Sequence, residues 1–230
     1  MASLADQVQQ LFQGLVGGDL VEITLLSLVV SGLATGLSLL IGLPIGTWLA
    51  LSRFRSRGLV ISVVNTGMAL PPVVVGLFVA FMLWRSGPFG DLDLIYTPSA
   101  MVIAEVIIAT PVILGLTLAA LGQLDQRLRL QLMGLGASRW QTVWWLWREA
   151  RLPLLAALMA GFGSVISEVG AAMMVGGNIA HQTRVLTTAI VLEVGRGEFV
   201  LAVALGIVLL ALAFLVNGVL TLAQQRGPRR

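Results

Sequence analysis

The most reactive groups in this sequence sit among residues that shun charge. Glu168, in the string ISEVGA, falls midway along the apolar run Pro153 to Val175. An ionisable side chain there costs roughly 2.5 to 3.5 kcal/mol to insert, so it belongs in a bundle interior or an aqueous cavity. An ionised carboxylate repels anions, and the expected role of Glu168 is structural or gating, through a hydrogen bond to a neighbouring helix. Gly170 follows in the same string. Glu105, in the run Pro98 to Leu121, is expected nearer the surface and within reach of water. Pro71 and Pro72 interrupt the run Leu59 to Trp84. They remove two backbone donors and force a break, which a membrane tolerates where protein or a water-filled path satisfies the freed groups. Pro71, Pro72, Glu168 and Gly170 are therefore candidates for a path or gate, with an inert kink as the alternative at the prolines. Pro44 and Pro111 read as packing kinks.

Other chemistries fit less well. Ser164 or Ser167 could act as a nucleophile only with a base in hydrogen-bond reach, and the sole histidine, His181, is expected in a loop about 20 Å away at 1.5 Å of helix per residue. Lysine is absent, which excludes a phosphate-binding P-loop in this chain, and cysteine is absent, which excludes disulfides and thiolate metal sites. Gly176-Gly177-Asn178 reads as a helix stop. Arg184, close to His181 and Thr183, could attract an anion arriving from outside or pair with Glu193 or Glu198. Asn178 and Arg184 are the candidate outer-face contacts for a substrate or receptor.

The elements that must position these groups are helices. Of the 230 residues 57% are hydrophobic and only 11% charged, against about a quarter charged in soluble domains. Five runs, 23–51, 59–84, 98–121, 153–175 and 199–223, each supply the roughly 20 residues needed to cross a bilayer. The expected fold is an all-α integral membrane bundle of five transmembrane helices, forming one domain over residues 1–230. The first 18 residues lack the charge pattern of a signal peptide and suggest a short amphipathic interfacial helix. All 14 basic residues are arginine. Arg53, Arg55 and Arg57, then Arg127, Arg129, Arg139, Arg148 and Arg151, then Arg226, Arg229 and Arg230 follow alternate runs, while Arg85, Arg184 and Arg196 fall on the other side. Cytoplasmic loops carry the arginine excess, placing the N-terminus outside and the C-terminus inside. The net charge of +3 is thus a signal of topology and not of nucleic acid.

The longest polar stretch, 122–152, lies in the cytoplasm on this topology. Gly134-Leu135-Gly136 opens a turn and Ser138 is a helix cap. Trp140, Val143, Trp144 and Trp147 then recur at helical spacing on one face, while Leu146 and Trp145 spoil the opposite face and need another cover. Such a helix either anchors the loop at the membrane interface or docks a soluble protein through an aromatic anchor.

The string LGASRWQTVWWLWREARLPLL resembles the cytoplasmic loop motif of ABC importer permeases, with Gly136 as the motif glycine and Leu152-Pro153 as its close. Leu130-Gln131-Leu132 stands where that family has Glu-Ala-Ala. The segment Phe162 to Glu193, FGSVISEVGAAMMVGGNIAHQTRVLTTAIVLE, and ALPPVVVGL at Ala69 to Leu77 are similar to the oxyanion branch, the molybdate, tungstate and sulfate permeases, and most of all to the tungstate type. The resemblance implies a type I ABC importer permease core with a cytoplasmic coupling helix, in which Gly136, Ala137, Ser138, Arg139 and Trp140 meet the ATPase. It also implies a homodimer in the cell inner membrane, a separate ABC ATPase that binds ATP and Mg, an extracytoplasmic oxyanion-binding protein, and no cofactor or catalysis in this chain. The implied function is ATP-driven import of tungstate or, next, molybdate by alternating access; a membrane scaffold without a path and an intramembrane hydrolase are the rival readings.

Overall fold

The computed structural model describes residues 18–225; residues 1–17, which carry nearly all of the expected interfacial helix, lie outside them. The regular structure of the described residues is entirely helical. α1 (Gly18–Leu51) has 34 residues and runs about 51 Å at 1.5 Å per residue. α4 (Pro98–Gly122) lies along it. Apolar surface drives little association inside lipid, and close approach of small residues takes over. Gly42 and Gly46, four apart on α1, meet α4: a Cβ on Gly46 would stand 2.8 Å from the Leu114 carbonyl oxygen. Farther along the seam the fully buried Ser38 donates to the Val106 carbonyl and accepts from the Thr110 hydroxyl, both at 3.3 Å.

Among the described residues three helices are long and apolar enough to cross a membrane unbroken: α1, α4 and α10 (Phe199–Gln225). The stretch expected to cross as 59–84 folds as α2 (Arg57–Met68) and α3 (Pro72–Leu83), bent by 96° at the paired prolines. The stretch expected as 153–175 folds as α7 (Arg151–Ile166) and α8 (Gly170–Gly176), interrupted at Ser167–Val169. By length and composition the described residues supply three crossings, or up to five if α2 with α3, and the helix Arg139–Glu149 with α7, each count as one bent span. Pro44 and Pro111 lie inside continuous helices.

The polar stretch forms α5 (Gln126–Gly134) and α6 (Arg139–Glu149), and α6 meets α7 at 75°. Asp125 caps α5 by accepting the Arg127 N–H at 2.9 Å. A further helix, α9 (Leu186–Arg196), occupies the stretch read as an outer loop. It packs Leu186 and Ala189 against Leu205 of α10. One end of the bundle gathers the C-termini of α1, α4 and α10 with α5, α6 and the start of α7, as the 3.4 Å contact from Gln224 Nε2 to the Leu152 carbonyl illustrates. Arg53, Arg55, Arg57, Arg127, Arg129, Arg139, Arg148 and Arg151 lie on those elements and their links. The opposite end holds the starts of α1 and α4 and the 177–185 loop, where the Tyr96 N–H bonds the Val175 carbonyl at 2.9 Å.

Candidate functional site

Two broken helices face one cavity. Its volume is about 280 Å³, and Pro71, Pro72, Ser164 and Glu168 line it together with Ile107, Ile108 and Val112 of α4. Pro71 holds φ −63 and ψ 121, an extended geometry that ends α2 before α3 begins. The lining is otherwise apolar, so the Glu168 carboxylate is its one ionisable group. Glu168 Oε1 accepts the Ala171 N–H of α8 at 3.0 Å, a bond to the helix that follows it. Thr187 of α9 donates to the Glu168 backbone carbonyl at 2.8 Å. These bonds replace the backbone pairing that a continuous helix would supply. Gly170 does not line the cavity; it lets α8 seat on Val73 of α3. Beside it, a Cβ on Gly76 would stand 2.5 Å from Ala171 Cα, so α3 and α8 cross in backbone contact.

Glu105 differs from expectation. It is 3% exposed, because α4 turns it into the bundle and not toward water. The seryl nucleophile reading also fails on geometry. Ser164 and Ser167 donate to the Gly161 and Gly163 carbonyls at 2.7 Å, whereas His181 Nδ1 lies 2.9 Å from Glu22 Oε2 at the start of α1. No serine is paired with the histidine among the described residues.

At the arginine-rich end, α5 and α6 form a helical hairpin that stands on the bundle. The Ala137 N–H bonds the Leu132 carbonyl and the Gly136 N–H the Met133 carbonyl, both at 3.0 Å, the paired bonds of a glycine-terminated helix end. Gly136 takes φ +83, which a side chain resists. Ser138 then starts α6 with a reciprocal cap: its Oγ accepts the Gln141 N–H at 3.3 Å and Gln141 Oε1 accepts the Ser138 N–H at 2.8 Å. The face that packs inward carries Leu146, the apolar residue that the spacing left in need of a cover, and leaves Trp140 and Trp144 outside. Thr142, Leu146 and Ala150 are buried, while Trp140 is 83% and Trp144 63% exposed. Leu121 of α4 covers Leu146, and Trp147 Nε1 donates to Thr47 of α1 at 2.9 Å. The hairpin thus presents Trp140, with Arg139 and Gly136 beside it, away from the bundle.

At the opposite end, Asn178 adopts φ +52 and its side-chain oxygen accepts from Arg184 Nε at 3.2 Å. Arg184 pairs with neither Glu193 nor Glu198; Glu193 holds Arg196 instead, at 2.9 Å. Thr183, which the sequence singles out only as a neighbour of Arg184, is fully buried. It donates to the Gly176 carbonyl at 2.5 Å and accepts the Ile179 N–H at 3.0 Å, closing the loop. His181 carries a pKa raised above its usual value, first by the hydrogen bond to Glu22 and then by the charges of Glu22 and Asp19.

Residues 42–226 match the family described as binding-protein-dependent transport system inner membrane component. The chain is 41% identical to a probable anion ABC transporter permease protein of Haloferax volcanii, over 92% of this chain and 93% of the relative. It is 38% identical to the tungstate uptake system permease protein TupB of Peptoclostridium acidaminophilum, over 88% and 89% of the two chains. Among solved structures it is similar to a chain of the inward-facing MetNI methionine ABC transporter, with a TM-score of 0.75 and 19% identity over 92% of this chain and 97% of that one. That likeness is one of fold.

Proposed function

The chain belongs to the binding-protein-dependent transport system inner membrane component family, and on that premise we propose that it is the permease subunit of an ATP-driven oxyanion importer, with tungstate the first substrate and molybdate the next. Membership makes it a membrane subunit and not itself an enzyme, and implies an ATPase and a binding protein as partners. The observation that carries the proposal is the cavity of about 280 Å³ onto which both helix breaks open. A path needs polar backbone at membrane depth, and broken helices supply it where they line a cavity. The arginine-rich end faces the cytoplasm. There the hairpin at Gly136, Ala137, Ser138, Arg139 and Trp140 enters the ATPase, which alone binds ATP and Mg. Two copies of this chain enclose the path, and alternating access opens it to one side at a time.

Glu168 serves as a gating group. Its carboxylate is held by the start of α8, so it fixes the break and does not chelate a dianion. Asn178 and Arg184 meet the binding protein or the arriving anion. Their support is the half-buried guanidinium, which has no carboxylate within ion-pair distance among the described residues. The test is tungstate accumulation by the complete complex in proteoliposomes. Uptake requires ATP, and Gly136→Val with Trp140→Glu abolishes both uptake and copurification of the ATPase. Undiminished assembly and uptake in that variant would overturn the coupling role, and indifference of the unaltered complex to tungstate, molybdate and sulfate alike would overturn the oxyanion class.

A further inference from the structure

From the cavity at the two helix breaks an open slot leads toward the arginine-rich end, and three helices wall it. α2 and α7 both rest on α4, α2 where Gly67 meets Pro111 and α7 where Gly161 meets Ile113. On the face that lines the cavity, each of the three carries further exposed residues closer to that end. On α4 the cavity residue Val112 is followed two turns on by Ala119. On α7 the cavity residue Ser164 is preceded one and two turns back by Ala160 and Ala156. All three alanines are exposed, and their small side chains leave the slot open. On α2 the cavity residues Met68 and Ala69 share a face with Asn65, three and four positions before them, and Ser62 follows on that face one turn farther. Ser62 and Asn65 are exposed. Neither side chain has a hydrogen-bond partner among the described residues, whereas Thr66 donates its hydroxyl to the Ser62 carbonyl at 2.8 Å.

Asn65 stands at membrane depth. Gly67 touches Pro111 near the middle of the 25-residue α4, and Val64 packs on Leu114 and Leu118, closer to the arginine-rich end. α2 therefore climbs beside the inner half of α4. A polar side chain turned outward at that depth faces water or protein and not hydrocarbon. Asn65 lies one turn from the cavity wall, on the side of α2 turned away from the contact of Val60, Ile61 and Val64 with α4, so it faces the slot. None of the slot residues is a cation. Passage requires binding weak enough to let the ion leave, and a guanidinium would hold a dianion where neutral donors release it. The Asn65 amide offers two N–H donors and the Ser62 hydroxyl one, which replace part of the water around an oxyanion without trapping it. We propose that the oxyanion leaves the cavity along this slot, received on the inner side of the Pro71-Pro72 break by the Asn65 amide and the Ser62 hydroxyl. The inference rests on the importer reading above and adds to it the residues that select the anion on its way out.

The test uses the complete complex in lipid nanodiscs. The chain has no cysteine, so single thiols report their surroundings to methanethiosulfonate ethylsulfonate, an anionic reagent that stays in water. Asn65→Cys and Ala160→Cys should be modified, and tungstate should slow the reaction at Asn65→Cys. Phe214→Cys, on α10 and 75% exposed, should stay unmodified in lipid. In proteoliposomes Asn65→Asp, nearly the same shape but acidic, should lower tungstate uptake by more than about tenfold while the ATPase still copurifies, and Asn65→Gln should keep most of the uptake. An Asn65→Cys thiol that is unreactive, or that joins its counterpart in a second copy on oxidation instead of reacting, puts lipid or protein where the slot should be and overturns the proposal. Full uptake by Asn65→Asp overturns it too. Should Asn65→Asp fail to assemble, protection of the Asn65→Cys thiol by tungstate decides. Failure of the unaltered complex to take up any oxyanion would overturn the importer reading itself, a result distinct from a reactive thiol that tungstate does not protect, which overturns only the role of Asn65.

Discussion

The break between α2 and α3 and the break between α7 and α8 expose backbone to the same cavity, yet they are built from different materials. The first is written into the covalent chain: Pro71 and Pro72 cannot donate, and proline fixes φ wherever the segment finds itself. The second contains no proline or glycine at Ser167–Val169. It persists because Glu168 holds the Ala171 N–H and Thr187 holds the Glu168 carbonyl. A break of the first kind is permanent. One of the second kind is conditional, since its two bonds come from side chains and one of them from another helix. Of the two, the Glu168 break is the one that a movement of α9 can remake, so it suits a gate, while the prolines suit a fixed wall.

That contrast can be attacked where the two half-helices touch. Gly76→Ala places a methyl group against the backbone of Ala171 and should lower stability by about 2 kcal/mol, read by thermal unfolding in detergent. Gly163→Ala, which meets nothing nearby, should not. Next, Thr187→Val strands the Glu168 carbonyl and should cost about 1 to 2 kcal/mol, with Thr187→Ser restoring most of it. Pro72→Ala removes no hydrogen bond and should cost less than about 1 kcal/mol, mainly through a freer unfolded chain. If Pro72→Ala proves costlier than Thr187→Val, the division into a permanent and a conditional break is wrong.

The smallest effect concerns the loop that leads into α9. The pKa of His181 is raised in the folded protein by Glu22 and Asp19, so the protonated clasp adds stability in full below the ordinary value of 6.5. That contribution fades as pH rises through the raised value. The melting temperatures of the unaltered chain and of His181→Gln should therefore differ most below pH 6.5 and converge as the medium becomes alkaline. A constant gap across that range would show that the contact acts without charge.

The same division explains what could be read from the residues alone. Pro71-Pro72 announces its break because the cause is local, and Ser138 announces the start of α6 for the same reason. The break at Glu168 has only a polar pair inside an apolar run as its cue, because its cause lies in Thr187, nineteen residues on. α9 was hidden for a related reason. Its partners, Ser27 at the Leu186 N–H and Leu205 alongside, come from distant helices, while Gly176-Gly177 beforehand reads as a helix stop. Leu146 announces that it needs a cover, because it stands apolar on the polar face of α6. What covers it, Leu121, lies on α4, and Thr47, which holds Trp147, lies on α1, so no periodicity within α6 reports either.

The tip of the hairpin carries one more consequence. Its turn closes on its own backbone on one side of Gly136 and on the Ser138–Gln141 pair on the other, so its shape exists before any encounter. A partner that receives Trp140 meets a stiff peg and not a slack strand. Little disorder is lost on seating, and a push delivered at the tip travels into α7 instead of being absorbed by the turn.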